Sequence, residues 1–162
     1  MDSKNKAHNS STKIMQAAQI RICSINICGM SDRSQFTLDK YCHENSVDIL
    51  AVQESSTADP RNLELKSREF VSDTTNSQNK GALLYVDSTK FSITKLHDIS
   101  NISKNIDTAW GLVSGGGIRY IVGSVYIKLN YKNAIPDLIK MLHTARKLSV
   151  KFKAKKGNFC SW

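Results

Sequence analysis

The stretch Ile20–Glu54 constrains this chain more than any other part of it. It opens with the apolar, β-branched run IRICSIN, turns at Gly29, passes through a helical pattern and returns in VDILAVQE. Two strands joined by a helical crossover lie parallel and side by side, because a tight hairpin cannot connect parallel strands. That places a carboxamide, Asn26, and a carboxylate, Glu54, at the carboxyl ends of neighbouring strands. Open α/β sheets bind ligands just outside those ends, so a metal or phosphate site is expected there.

The rest of the chain divides by pattern. Residues 1–18 are polar and rich in Ser, Asn and Lys, and read as a disordered lead-in. Residues 19–27 read as a buried strand. Asp32 is the expected N-cap of a helix over 33–45, with Leu38, Tyr41 and Cys42 on one face. Val47–Val52 is a short apolar run suited to a buried parallel strand. From Ser55 to Gln78 the chain is polar and carries Asp59-Pro60, which predicts a long loop with a short strand at Phe70–Ser72.

Strands dominate the second half of the chain. Gly81–Val86 and Phe91–Leu96 flank an Asp-Ser-Thr turn and predict one hairpin. Thr108–Ser114 and Ile118–Leu129 flank Gly115-Gly116-Gly117 and predict another. The three glycines lack the lysine and following helix of a phosphate-cradling loop, so a hairpin turn is the better reading. Residues 133–149 form an amphipathic helix with Ile135, Leu138, Ile139 and Leu142 at helical spacing.

At 162 residues the chain has the length of one domain. The expected organisation is the lead-in 1–18, a folded part 19–150 and a basic tail 151–162. No apolar run reaches the length of a membrane span, and the start lacks the pattern of a secretory signal. Cys23, Cys28, Cys42 and Cys160 show no paired metal-ligand spacing, and reduced structural thiols in an intracellular protein are expected.

The formal charge of +9 sits at the flanks. Residues 1–19 carry three lysines against one aspartate, and residues 146–162 carry six basic residues and no acid, leaving the body nearly neutral. The tail lysines Lys151, Lys153, Lys155 and Lys156 suit either a solvated helix end or sequence-independent contact with DNA. The same basic run gives a nuclear rather than cytoplasmic expectation.

Several short elements in order carry a family likeness: Asn26 and Gly29 in SINICGM, Gln53-Glu54 in LAVQES and GALLYV at 81–86. Trp110 in DTAWGLV and Tyr126 with Asn130 in VGSVYIKLN complete the series. Over residues 20–130 the chain resembles the first half of the endonuclease/exonuclease/phosphatase superfamily, most of all the endonuclease domains of non-LTR retrotransposons. The resemblance implies an α/β/β/α sandwich, here an α/β fold truncated in its second half. It makes Glu54 the ligand of a catalytic Mg2+ (or Mn2+). It puts Asn26, Tyr126 and Asn130 at the scissile phosphate. One carboxylate suffices for a hard cation that keeps waters and takes phosphate oxygens. Considered apart from the family, Asn26 suits the tying of its own turn equally well, and Tyr126 and Trp110 suit a core. The four histidines show no metal spacing and are assigned no role.

The family continues with a Gly-Asp-x-Asn motif and ends in an Asp-His pair whose histidine is the general base. Here Asn158 stands for the aspartate and Cys160 for the asparagine. The expectation is a DNA-endonuclease lineage, inactive alone, with an apolar sheet face left for a partner or for self-association. A nucleic-acid-binding or protein-interaction fragment, and a phosphatase-like member of the same superfamily, remain the alternatives.

Overall fold

The computed structural model describes residues 19–56, 63–72, 81–103, 105–127, 131–132 and 134–153. The lead-in 1–18 and the residues Asn130, Lys155, Lys156, Asn158 and Cys160 lie outside the described residues. The elements run β1 (Ile22–Asn26), α1 (Asp32–Glu44), β2 (Ile49–Gln53), β3 (Arg68–Ser72), β4 (Ala82–Asp87) and β5 (Ser92–Lys95). Then come α2 (His97–Ser100), β6 (Ile106–Gly115), β7 (Ile118–Ile127) and α3 (Ala134–Lys151).

The first sheet has the order β1-β2-β4-β3, and the second β5-β6-β7. Strands β1 and β2 pair in parallel with Asn26 opposite Gln53, as the crossover requires. All other pairs are antiparallel. Side-chain alternation then sorts the core into layers. Leu50, Val52, Leu83 and Tyr85 face α1, where Leu38 and Cys42 meet them. Ile49, Ala51, Leu84 and Val86 face the second sheet and pack on Ala109 and Val113. The other face of β6 and β7 carries Trp110 and Val125 against Met141 and Ala145 of α3. Helix, sheet, sheet, helix is the resulting α/β/β/α order. The Tyr85 hydroxyl donates to Leu63 O at 2.7 Å, and burial pushes that phenol well above its usual range.

Six expectations change. Strand β1 is not buried: it ends its sheet, pairing with β2 alone among the described residues, and Ile22 on it is 63% exposed. Helix α1 is capped by Ser31, not Asp32: Ser31 Oγ accepts from Ser34 N and Ser34 Oγ accepts from Ser31 N, a reciprocal box. Asp32 falls in the first turn, where its charge suits the helix dipole. Tyr41 is 45% exposed, because Leu38 and Cys42, four apart, already fill the stripe against the sheet.

Strands β4 and β5 are not a hairpin. Strand β4 is buried along its length, and β2 and β3 occupy both of its edges. The Asp87–Lys90 turn therefore passes the chain to the second sheet, where β5 pairs with β6. On α3 the buried stripe is Ala134, Met141 and Ala145, and Ile135 and Ile139 lie outside it. Finally, the interlayer face of β2 and β4 is covered, because β5–β7 of the same chain supply the opposing sheet, whereas Ile22 on β1 stays exposed.

The second hairpin is as expected: Gly116 and Gly117 both have positive φ, at 56° and 73°, the backbone of a two-residue primed turn. Its register sets Gly123 opposite Trp110, and a Cβ on Gly123 would lie 2.6 Å from the indole ring. Gly123→Ala forces the buried ring to move and is expected to cost about 1–3 kcal/mol. Urea unfolding reads this directly, and an unchanged midpoint would refute the packing described.

Candidate functional site

Strand ends from both sheets meet at one end of the sandwich. Parallel pairing brings the carboxyl ends of β1 and β2 together, and antiparallel pairing brings the start of β4 to the end of β2. In the second sheet the start of β6 lies beside the end of β7. The two ends are tied across the interlayer: Gln53 Nε2 donates to Ser124 Oγ at 3.0 Å, and Ser124 Oγ donates to Val52 O at 3.1 Å.

Asn26 and Glu54, 28 residues apart, touch. Asn26 Nδ2 donates to Glu54 Oε1 at 3.1 Å, while Asn26 Oδ1 accepts from Cys28 N at 3.2 Å. Asn26 thus ties its own turn and also holds the Glu54 carboxylate. Cys28 and Glu54 both hold left-handed backbone, φ 51° and 54°, which costs a side-chain-bearing residue about 1–2 kcal/mol. The turn is clamped by Gly29 N to Glu54 O at 2.6 Å and Met30 N to Ser56 O at 3.0 Å. Strain held in place by surrounding bonds, at the rim of a sheet, is characteristic of functional sites. Glu54 is 9% exposed, so its carboxylate is screened from bulk water on most sides.

Hydrogen bonds lead from the residue after Glu54 across to the second sheet. Ser55 N donates to Gly81 O at 3.3 Å, and Gly81 N donates to Asp107 Oδ2 at 3.3 Å. Gly81 takes φ 73°, and a Cβ there would meet Ser55 Oγ at 2.8 Å, so this junction requires glycine. Asp107, 3% exposed, is the direct cross-strand partner of Tyr126. Tyr126 shares the interlayer face of β7 with Ser124 and is half-buried. Asn26, Glu54 and Tyr126 thus belong to one end of the sandwich.

Lys151 and Lys153, the two tail lysines among the described residues, do not join them. Helix α3 runs away from the end of β7, and Arg119 Nη1 at the start of β7 donates to Phe152 O at 3.4 Å. Lys151 and Lys153 flank Phe152, at the opposite end of β7 from Tyr126. The strand between Arg119 and Tyr126 spans about 23 Å. His43 closes α1 at the far end, His143 lies midway along α3, and His97 opens α2 on the outer layer. Trp110 is core, packed against α3.

Sequence reasoning missed Asp107 and Ser124. The signal for Asp107 was present: the tight turn at Gly116-Gly117 fixes the register, and counting back places Asp107 opposite Tyr126. Ser124 had no such signal, since its partners Gln53 and Val52 lie on the other sheet.

Asn26→Ala leaves the Glu54 carboxylate without this donor and Cys28 N–H without its acceptor. A loss of about 1.5–3 kcal/mol is expected for a bond to a charged group. An unfolding midpoint equal to that of the natural sequence would show that the pair carries no stability.

No family model matches the chain, and no curated protein matches it in sequence. Solved structures do match. The human Nocturnin catalytic domain with bound sulfate superposes at a TM-score of 0.60 and 11% identity, over 83% of this chain and 60% of its own. The endonuclease domain of TRAS1, a telomere-specific non-LTR retrotransposon, gives 0.58 and 12%, over 80% and 55%. D. rerio TDP2 with single-strand DNA product gives 0.53 and 13%, over 82% and 54%. The chain thus spans little more than half the length of these structures. The order of strands, the layers and these superpositions agree: the fold is that of the endonuclease/exonuclease/phosphatase superfamily.

Proposed function

We propose that this end of the sandwich is the metal- and phosphate-holding wall of a divalent-metal-dependent phosphodiesterase-type site that takes DNA. The observation that carries the reading is the Glu54 carboxylate. It is buried, set on left-handed backbone and oriented by the Asn26 amide at the carboxyl ends of two parallel strands. Among the described residues no three His, Cys, Asp or Glu side chains converge, so the donor set is not that of a closed structural metal centre. One carboxylate beside a carboxamide fits Mg2+ or Mn2+, hard cations that keep waters and accept substrate oxygens.

Bound there, the cation would neutralise charge developing on the phosphoryl oxygens. Glu54 would anchor it. Asn26 fixes the carboxylate's orientation without adding negative charge. The Tyr126 phenol, on the opposing sheet, can hydrogen-bond phosphate from the second side, and Asp107 holds the Gly81 junction that spaces the two walls. Asn130 is carried over from the family resemblance alone.

DNA is favoured over a phosphate monoester by the basic flanks and by the DNA seen with D. rerio TDP2. A retrotransposon-endonuclease lineage accords with the TRAS1 likeness and the residues of the motifs. We place a binding role second, and one observation favours it: the described histidines stand on the helices, away from Glu54 and Tyr126. Without a positioned base the expected rate falls by about 10²–10⁴, so nicking by this chain alone is expected to be weak.

Two measurements separate these roles. At tenfold over its dissociation constant, Mg2+ is expected to stabilise the folded chain by about 1.4 kcal/mol, an effect lost in Glu54→Gln. A folded protein indifferent to Mg2+ and Mn2+ would sink the metal reading. Nicking of supercoiled plasmid that requires Mg2+ and Glu54 would place catalysis above binding. For the tail, replacing Lys151 and Lys153 by glutamate is expected to make the log–log salt dependence of DNA affinity shallower by about 1.8. An unchanged slope would show that these lysines touch no phosphate.

A further inference from the structure

Asp107 is a buried carboxylate at the start of β6, on the interlayer face that it shares with Ala109 and Val113. Taking a carboxylate out of water is costly unless donors replace the hydration it loses. Here a donor comes from the opposite sheet. Gly81, just ahead of β4, points its N–H at Asp107 Oδ2 across 3.3 Å of the interior.

Gly81 in turn grips the residue after Glu54. Its carbonyl accepts from Ser55 N at 3.3 Å, and its α-carbon lies so close to the buried Ser55 that a Cβ would meet Ser55 Oγ. The N–H of Ser55 and the C=O of Glu54 belong to one planar peptide group. Gly29 N holds the oxygen of that group at 2.6 Å, and Gly81 O holds its hydrogen. The Glu54–Ser55 peptide is therefore clamped from both sides, and this fixes the left-handed Glu54 backbone that carries the carboxylate.

Other bonds between the sheets do not reach this peptide. Those of Ser124 to Gln53 and Val52 fix β2 ahead of Glu54. The Asp107 bond acts, through Gly81, on the chain that follows Glu54. Asp107 also stands directly opposite Tyr126, and side chains so paired lie next to each other on one face. A single buried carboxylate thus sits beside the phenol of one sheet and anchors the glutamate turn of the other.

We infer that Asp107 is a positioning residue for the Glu54 carboxylate. It anchors Gly81, Gly81 grips the Glu54–Ser55 peptide, and that peptide aims the Glu54 side chain at Asn26. Asp107 acts through these residues and touches neither cation nor substrate. What the relay needs at Asp107 is an oxygen acceptor rather than a charge, so asparagine serves and alanine does not. The effect on a cation rests on the metal reading of Glu54, whereas the effect on the carboxylate does not.

The test uses the full chain, isotope-labelled, and begins without metal. In Asp107→Ala, amide hydrogen exchange at Gly81 and Ser55 is expected to quicken by about tenfold or more. The side-chain amide resonance of Asn26 moves to where Glu54→Ala puts it, and Asp107→Asn restores both signals. Titration with Mn2+ follows: affinity is expected to fall about 10–100-fold in Asp107→Ala and to hold in Asp107→Asn. Tyr85→Phe is the control for lost stability alone, since it removes a buried bond to Leu63 O on the α1 side of the sheet. It leaves the Asn26 resonance and the Mn2+ affinity as they are.

If Asp107→Ala does not fold, Asp107→Val makes the same comparison with a side chain suited to a strand. Three results would overturn the assignment. One is an Asn26 resonance and Ser55 exchange that the loss of the acceptor leaves unaltered. Another is an Asp107→Asn variant that behaves like Asp107→Ala, which would assign the effect to charge. The third is Tyr85→Phe moving the same signals, which would mean that any loosening of the core displaces Glu54. A natural sequence that binds no Mn2+ would overturn the metal reading of Glu54, and the metal-free signals would still decide the role of Asp107.

Discussion

The parallel register of β1 with β2 is the constraint on which the rest of the molecule depends. It sets Asn26 beside Gln53 and so brings the amide of one strand end to the carboxylate just past the other. Parallel pairing needs a crossover, and α1 supplies it, held at its start by the Ser31–Ser34 box and seated on the sheet by Leu38 and Cys42. A slip of one residue would turn Ile22, Ser24 and Asn26 to the other face. Asn26 would then leave the interlayer side, where Gln53 reaches Ser124. The Asp48 carboxylate guards against such a slip from the other end of the strands, accepting from Arg21 N at 2.8 Å and from Lys90 Nζ at 2.7 Å.

Polar groups in the interlayer decide where the two sheets meet. Apolar contacts such as Leu84 on Val113 favour burial but tolerate sliding, whereas a buried hydroxyl or carboxylate needs its partner in place. Ser124 and Asp107, both buried, find partners on elements far away in sequence, Gln53 and Gly81. These bonds sit at the end of the sandwich where Glu54 and Tyr126 lie, and the middle of the interlayer is apolar. The end that holds the candidate site is thereby the end whose geometry is most tightly specified, as a preorganised site requires.

Much of this was legible in the sequence because the strongest signals were local. The crossover, the two-residue turn at Gly116-Gly117 and the partnership of Asn26 with Glu54 each derive from spacing within one supersecondary unit. What escaped was non-local. The turn after β4 looks like a hairpin from its residues, and only the competition of β2 and β3 for the edges of β4 shows otherwise. Helical spacing singled out Ile135, Leu138, Ile139 and Leu142; Leu142 does pack on the core, but the buried stripe runs through Ala134, Met141 and Ala145, and Ile135 and Ile139 are exposed. Small side chains let a helix approach closely, and hydrophobicity alone does not reveal which apolar stripe is used.

Asn26 is exposed although its partner Glu54 is buried, and the reason is that Asn26 ends an edge strand. The edge position of β1, which leaves Ile22 63% exposed, leaves one side of the candidate site open to water. Water at that side raises the local dielectric and weakens the charge interactions of the Glu54 carboxylate. Covering the β1 edge would lower that dielectric without changing any residue at the site. Strand order alone therefore couples two properties that look separate, the open edge of β1 and the electrostatic setting of the Glu54 carboxylate. A sandwich wider by one strand over β1 would hold the same Asn26–Glu54 pair in a drier setting, where its electrostatics count for more.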